Sequence, residues 1–537
     1  MRPPWKAYIP FLLAGLFILV LMQAGCTRLG PDFNGIDNPP IPRQWQGRHA
    51  EKDPSIVRWW RTFKDPTLNT LVKIAYSQNL DIKSAGLRII QARAIVGISR
   101  GFALPQKQTL SAGAGTTRSG LVNFSEAGVN FDVGWELDLW GKYARNIEAA
   151  GAGLYGAVAS YDDIMVSVIA EVAGNYINYR TAGERLVYAR RNAAIQERVA
   201  EMTEVQYNSG NVSELDMQQA RTQLYTTRTN IAAVELEQVK FRNALALLLA
   251  MEAPEVDKIL DNGELKKDTS DLRFIARRQG VIHIREKSRK LTEVNLVPVA
   301  SLDPSYAIDA DLITRRPDIK VAEYTVHANA AKLGSSMADL YPSFTIFGNI
   351  GYNNTDKTGS WLTGTEPLAV AIGPSFSWNI FNYGRIKNQI RLQDAVFEES
   401  LVNYNRAVLK AVAQVENALK GYVLTLQQQQ ENRKALQATI RAFNLSALQY
   451  NEGLVSYQRL LTTVEKLTLT QDRFAAIKGK AALYAVALYK ALGGGWQINR
   501  GRAYISRKTA RRMQKRTDWG SFLDEKMTRI PRGFLHE

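Results

Sequence analysis

One cysteine, four histidines and 18 prolines in 537 residues are scarcities that each exclude something. A lone thiol, Cys26, can form no intrachain disulfide, so stability has to come from packing. As a nucleophile it would need a histidine partner, and His49, His283, His327 and His536 are scattered, with none at metal-ligand spacing. The longest apolar run covers residues 11 to 24, short of the roughly 20 residues that a membrane-spanning helix takes. Proline is missing between Pro105 and Pro254 and again between Pro374 and Pro531. Because proline breaks helix interiors, both intervals permit very long helices.

The apolar run "FLLAGLFILVLMQA" follows Arg2 and Lys6 and reads as a secretory h-region. It ends at Ala24-Gly25-Cys26, which resembles the bacterial lipobox. In that motif the cysteine is acylated and becomes the mature N-terminus. Residues 1–25 are therefore expected to be a lipoprotein signal peptide and Cys26 the lipidation site. Thr27, in place of the aspartate that often retains such proteins at the inner membrane, favours the outer one. The net charge of +17 is unevenly spread. From Ile498 to Glu537 there are 11 Lys or Arg against 4 Asp or Glu, while the body is nearer neutral, so the charge does not mark the whole chain as a nucleic-acid binder.

From Lys142 to Tyr207 the sequence is rich in Ala, Glu, Arg and Val with few turn signals, enough for about 100 Å of helix at 1.5 Å per residue. Such a helix needs lateral neighbours, as in a coiled coil or helical barrel. The chain also repeats itself. "YNSGNVS" at Tyr207 and "YNEGLVS" at Tyr450 share five of seven residues at an offset of 243, and Trp135 and Trp378, like Gly141 and Gly384, keep that offset. Ala94, Gly97 and Pro105 recur as Ala331, Gly334 and Pro342 at an offset of 237. Each copy reads as helix, two strands, long helix, a turn at Tyr-Asn-x-Gly, and a second long helix. Gly210 and Gly453 suit turns that need positive φ.

"VNFDVGWELDLW", Val129 to Trp140, alternates almost perfectly. Val129, Phe131, Val133, Trp135, Leu137 and Leu139 share one face, and Asn130, Asp132, Gly134, Glu136 and Asp138 share the other. The second copy puts Val370, Ile372, Pro374, Phe376, Trp378 and Ile380 opposite smaller, more polar residues. Weaker strands precede them around Gln108 to Ala114 and Phe344 to Tyr352. Four strands of about ten residues fit an outer-membrane barrel wall but cannot close one. Lipid tolerates no open edge, so several chains must contribute, and three, giving twelve strands, is the smallest number that leaves a pore.

No catalytic constellation is present. "GISRG" at Gly97 lies in a helical run without the strand that a hydrolase elbow requires. "GAGLYG" at Gly151 lacks an enclosing βαβ unit and reads as small residues for close helix packing. The charged stretch from Lys266 to Lys290 and "RKTARRMQKR" at Arg507 read as loosely attached additions.

Several stretches together resemble the trimeric outer-membrane efflux factors of the TolC and OprM kind, in particular the NodT-like lipoprotein branch. They are the lipobox, "LGPDF" at Leu29, "RWWRTFKDPTLNTLVKIAYSQNLDI" from Arg58, "WELDLWGK" at Trp135, "RRPDIKVAE" at Arg315 and "YPSFTIFGNIG" at Tyr341. The resemblance implies a mainly α-helical fold with a membrane β-barrel: two tandem repeats form long helical hairpins of a periplasmic α-barrel and supply four strands per chain, twelve in the trimer. It divides the chain into a signal peptide (1–25), an anchored linker (26–57), a first repeat (58–253), an inter-repeat linker (254–314), a second repeat (315–497) and a basic tail (498–537). The implied function is a passive outer-membrane conduit for drugs or other small molecules, or alternatively the duct of a type I protein secretion system. It would have no catalysis and no cofactor, and would work with a periplasmic adaptor and an inner-membrane pump.

Asp132, Glu136 and Asp138 are then expected to line the lumen. Tyr207, Gly210, Asp216, Tyr450, Gly453 and Arg459 are expected to form the periplasmic tip and gate. The second copy departs from the family pattern: "YQRLLTTVEK" puts Arg459 and Thr462 where acidic residues are common. An aspartate-based latch is therefore in doubt, with an Asp216–Arg459 contact between neighbouring hairpins as one substitute and solvated tip residues as the other reading.

Overall fold

A computed structural model of the chain describes residues 28–36, 54–120, 122–260, 294–300, 315–356, 368–499 and 502–524. Cys26 with its preceding apolar run, the basic stretch from Lys266 to Lys290, and everything after Asp524 lie outside the described residues.

One plan occurs twice. In the first copy α1 (Pro66–Gln78) and α2 (Leu80–Gly101) lead into β1 (Lys107–Ser119) and β2 (Val122–Leu137), then α3 (Lys142–Asn208) and α4 (Glu214–Leu249). After a short α5 (Ala253–Leu260), the second copy supplies α6 (Pro317–Ala338), β3 (Ser343–Asp356), β4 (Ala369–Ser377), α7 (Arg385–Asn451) and α8 (Tyr457–Ala491). The matching helices α3 and α7 are both 67 residues long, and α2 and α6 both 22. Local chemistry sets the boundaries. Asp65 accepts a hydrogen bond from Leu68 N at 2.9 Å, with Pro66 at the first helical position of α1. Gly141 and Gly384, at φ +72° and +79°, turn each strand pair into its long helix.

The chain divides into two compact units. The first, within Met1–Pro39, Leu87–Ser160 and Asp318–Ala407, carries one antiparallel sheet in the order β1-β2-β3-β4. The alternating pattern predicts that the strand from Val129 runs to Trp140, but β2 begins earlier, at Val122, and stops at Leu137. Asp138 is the reason. Its carboxylate accepts from Tyr143 N at 3.0 Å and Ala144 N at 2.7 Å, satisfying two of the unpaired N–H groups at the start of α3. Asp138, expected on the polar strand face, therefore sits just beyond the strand, where its carboxylate caps α3.

The second unit, within Pro40–Gly86, Tyr161–Pro317 and Val408–Glu537, is helical. A cluster of Ile195 and Val199 from α3, Ala220 from α4, Leu436, Ile440, Phe443 and Tyr450 from α7, and Tyr457, Leu460, Val464 and Phe474 from α8 binds the two hairpins into one core. The stretch at Arg507, expected to be loosely attached, is packed: Arg507–Gln514 forms helix α9 with Met513 buried, an apolar seat that charge counting overlooks. Val294, Val297 and Ala300, which follow the charged part of the inter-repeat linker, are buried as well.

"GISRG" lies within α2 and "GAGLYG" within α3. The close-packing reading of the latter holds for Gly156 alone, whose Cβ would meet Tyr324; Gly151 and Gly153 face open space in the single chain.

Candidate functional site: a two-faced sheet and two helical tips

The strand register sorts the sheet into two chemically different faces. Leu110, Phe131, Ile350 and Val370 stand in one cross-strand row. The same face carries Val133 and Ile372 on either side of Gly348, Trp135 in a row with Ile346 and Pro374, and Leu137 in a row with Phe344 and Phe376. Among the described residues none covers Leu110, Ile372 or Phe376, which are 72%, 80% and 71% exposed. Contiguous apolar exposure on this scale marks a surface made for another apolar phase. Since successive side chains alternate, the opposite face is polar.

On that polar face Asp132 accepts from Asn349 Nδ2 at 2.8 Å and pairs with Lys107 at 3.5 Å. Asn130 and Asn353 exchange two hydrogen bonds of 3.0 Å. Glu136 accepts from Tyr143 Oη at 3.0 Å, and this contact, added to burial, pushes the Tyr143 phenol up. Sequence reasoning missed Phe347, an aromatic on the polar face between Gly134 and Gly373, whose ring lies where a Cβ on Gly373 would meet it. Glycine on both neighbouring strands at one register was the available signal, but it needs the register to be read.

At the other end of the long helices lie the two turns. Gly210 and Gly453 adopt φ +73° and +72°. Each donates to its tyrosine's carbonyl, Gly210 N to Tyr207 O at 2.8 Å and Gly453 N to Tyr450 O at 3.1 Å. The next residues bond one position further back, a Schellman-type ending. The two tyrosines then part company. Tyr207 is 37% exposed, whereas Tyr450 is buried, meets Tyr457 edge-on at 6.0 Å and donates from Oη to Gln206 Oε1 at 2.6 Å. Burial raises the Tyr450 phenol. Gln206 escaped the sequence reading because nothing in a turn motif says which neighbour will face the other hairpin.

Asp216 closes a capping box on α4: Ser213 Oγ accepts from Asp216 N, and Asp216 Oδ2 accepts from Ser213 N at 3.2 Å. Arg459 holds the equivalent position in α8, where Ser456 makes no side-chain cap bond. Arginine has no acceptor and cannot complete the box. Among the described residues no ion pair joins Asp216 to Arg459 within one chain. No group of His, Cys, Asp and Glu there could hold a metal ion, and no described helix is long and apolar enough to cross a membrane.

Residues 71–251 and 310–494 match the model of the family described as Outer membrane efflux protein. The chain belongs to that family. This outer-membrane efflux protein is 26% identical over 491 residues to a probable outer membrane lipoprotein, SilC, of Salmonella typhimurium, covering 89% of this chain and 97% of SilC. It is 26% identical to the toluene efflux pump outer membrane protein TtgF of Pseudomonas putida, covering 89% of this chain and 96% of TtgF. Among solved structures, the outer-membrane channel OprN superposes with a TM-score of 0.72 at 27% identity, over 88% of this chain and all of that one. The Campylobacter jejuni CmeC channel has the same TM-score at 22% identity, covering 87% of this chain and 95% of that one. The relatives are channel components, and the protein is an efflux channel of the outer membrane.

The efflux protein also clasps its own N-terminal segment. Arg145, 1% exposed, donates to Leu29 O at 2.9 Å and Gly30 O at 3.2 Å, and pairs with Asp32 at 2.7 Å and Glu148 at 2.9 Å. Glu148 is hydrogen-bonded to His327 at 3.0 Å, and Phe33 stacks on the imidazole at 4.5 Å. Gly30, at φ +85°, lies against Gly334 so closely that a Cβ on it would collide with the Gly334 backbone. His327, dismissed in the sequence as isolated, finds its partner 179 residues away.

The His327 hydrogen bond, helped by Arg145, holds the Glu148 carboxyl below its ordinary value of 4.5, against the opposing effect of burial. The clasp's contribution is thus present above pH 4.5 and is lost as pH falls through the lower folded-state value. Limited proteolysis should cut residues 28–36 faster in acid than at neutral pH. Glu148→Gln should be cut faster at neutral pH already, and identical protection of both proteins throughout would refute the assignment.

Proposed function

We propose that three copies of this chain close their four-stranded sheets into one twelve-stranded barrel with the apolar face toward lipid and the Asp132–Asn349 face toward a water-filled lumen. The observation carrying this reading is a sheet that, among the described residues, has an exposed apolar face and two outer edges, on β1 and β4, without a partner strand. Unpaired backbone groups are not tolerated in hydrocarbon, so another copy must satisfy them. The long hairpins then continue the pore as a periplasmic tunnel. Cys26, three residues before the clasped Leu29, tethers the chain by its acyl groups. An adaptor and an inner-membrane pump drive the flow, and this chain supplies the conduit for small solutes without chemistry of its own.

The tips are the gate. Tyr450–Gln206 holds the second hairpin to the first within a protomer, and Asp216 and Arg459 lie on the surfaces that neighbouring hairpins present to each other. Heat-modifiable migration as a trimer, with single-channel conductance in planar bilayers, tests the conduit. A monomer that conducts nothing would end this reading. For the gate, Tyr450→Phe and Arg459→Glu are both expected to raise resting conductance and antibiotic leakage; unchanged conductance in Arg459→Glu removes that residue from the latch while leaving the conduit standing.

A further inference from the structure

Residue 494 is the last that the family match covers, yet the chain continues into an ordered element. Helix α9 is seated firmly in the helical unit. Gly86 of α2 lets the Tyr504 backbone lie against it where any Cβ would collide, Tyr504 meets Tyr161 edge-on at 5.1 Å, and the Arg502 guanidinium sits over the Tyr76 ring at 5.9 Å. Ile505 before it, Met513 within it and Leu523 after it are all buried.

Outward, α9 and the turn after it carry Arg507, Lys508, Arg511, Arg512, Lys515 and Arg516, all exposed. Their spacing of four makes two adjacent rows, 507-511-515 and 508-512-516, which run along α9 and its C-terminal cap, each about 12 Å long. Among the described residues Lys508, Arg511, Arg512, Lys515 and Arg516 form no ion pair. Like charges four apart destabilise a helix, and here Lys508 and Arg512 stand so within α9, with Arg511–Lys515 and Arg512–Arg516 continuing the pattern across its C-terminal cap. An anion with several charges lying along such a surface relieves its self-repulsion more effectively than separate counter-ions do. The apolar residues that would let a basic helix enter a bilayer are already spent on the protein's own core, which disfavours a lipid surface. The charges lie in an extended, exposed line, so a flexible polymer of repeated carboxylates fits better than a compact partner.

We propose that α9 docks the channel to the cell wall, its two cationic rows binding the carboxylates of peptidoglycan peptide stems. This rests on the periplasmic placement of the helical unit proposed above.

The test is co-sedimentation of the purified full-length protein with insoluble sacculi. Arg511→Glu/Arg512→Glu should lower the bound fraction about tenfold, Arg511→Lys/Arg512→Lys should retain it, and sacculi with chemically amidated carboxyls should bind neither. Undiminished binding by the Glu variant or to amidated sacculi would overturn the proposal. So would capture by phosphatidylglycerol vesicles equal to or stronger than capture by sacculi. Conductance and trimer migration are measured on the same variants: both should match the parent, which shows that the fold survives. A protein that binds sacculi but never conducts would sink the conduit reading and leave the docking intact.

Discussion

Lys478→Met is expected to destabilise the helical unit by about 3–5 kcal/mol, the cost of leaving a buried charge without its partner. The Lys478 ammonium is 3% exposed and lies 2.8 and 3.0 Å from the two oxygens of Glu184, which is fully buried. It also donates to Val294 O at 2.7 Å, while Leu296 N and Val297 N donate to Glu184 at 3.1 and 3.3 Å. The pair thus pins the inter-repeat linker onto α3 and α8. Burial pushes the Glu184 carboxyl up, opposed by Lys478 and the two N–H groups, and removing the ammonium removes the largest opposing pull. For an acid with a raised folded-state value, stability is present below the unfolded value of 4.5 and is lost as pH rises through the folded one. The variant should therefore melt closer to the parent in acid than at pH 7. Glu184→Leu/Lys478→Met, which removes both charges, should recover most of the loss. Thermal melts at two pH values check this, and a double variant as unstable as the single one would contradict it.

Phe131→Arg should abolish assembly in the outer membrane. Phe131 lies mid-strand in the row with Leu110, Ile350 and Val370, and an arginine on the lipid face near the bilayer midplane costs about 2–4 kcal/mol per strand, incurred three times in a trimer. Thr109→Arg is its matched control: Thr109 is on the neighbouring strand, directly across from Asp132 on the polar face, where a guanidinium gains a carboxylate partner and water. Heat-modifiable trimer in membrane fractions should vanish for the first and persist for the second. Equal behaviour of the two would show that the faces have been assigned to the wrong solvents.

The long helices and the duplicated plan were legible because they rest on local and repeated signals: absent proline, Tyr-Asn-x-Gly at the turns, and a constant offset. The outward face of the sheet was legible for the same reason, since alternation is a property of neighbouring residues. Asp138 shows where that logic stops. Alternation continued through it, yet the unpaired N–H groups of α3 claimed its carboxylate and ended the strand. Asp216 is comparable. The motif put it at the tip, and its side chain serves first to cap α4.

By itself the sequence determined periodicity, duplication, turn positions and the segregation of apolar from polar strand residues, all of which follow from chemistry within a few positions along the chain. Only the tertiary structure decided which distant groups meet: Tyr450 with Gln206, Arg145 and His327 around the N-terminal segment, Glu184 with Lys478 under the linker, and α9 on its seat. Such pairs are separated by up to 294 positions. Their geometry depends on how helices stack and strands register, which no residue type carries alone.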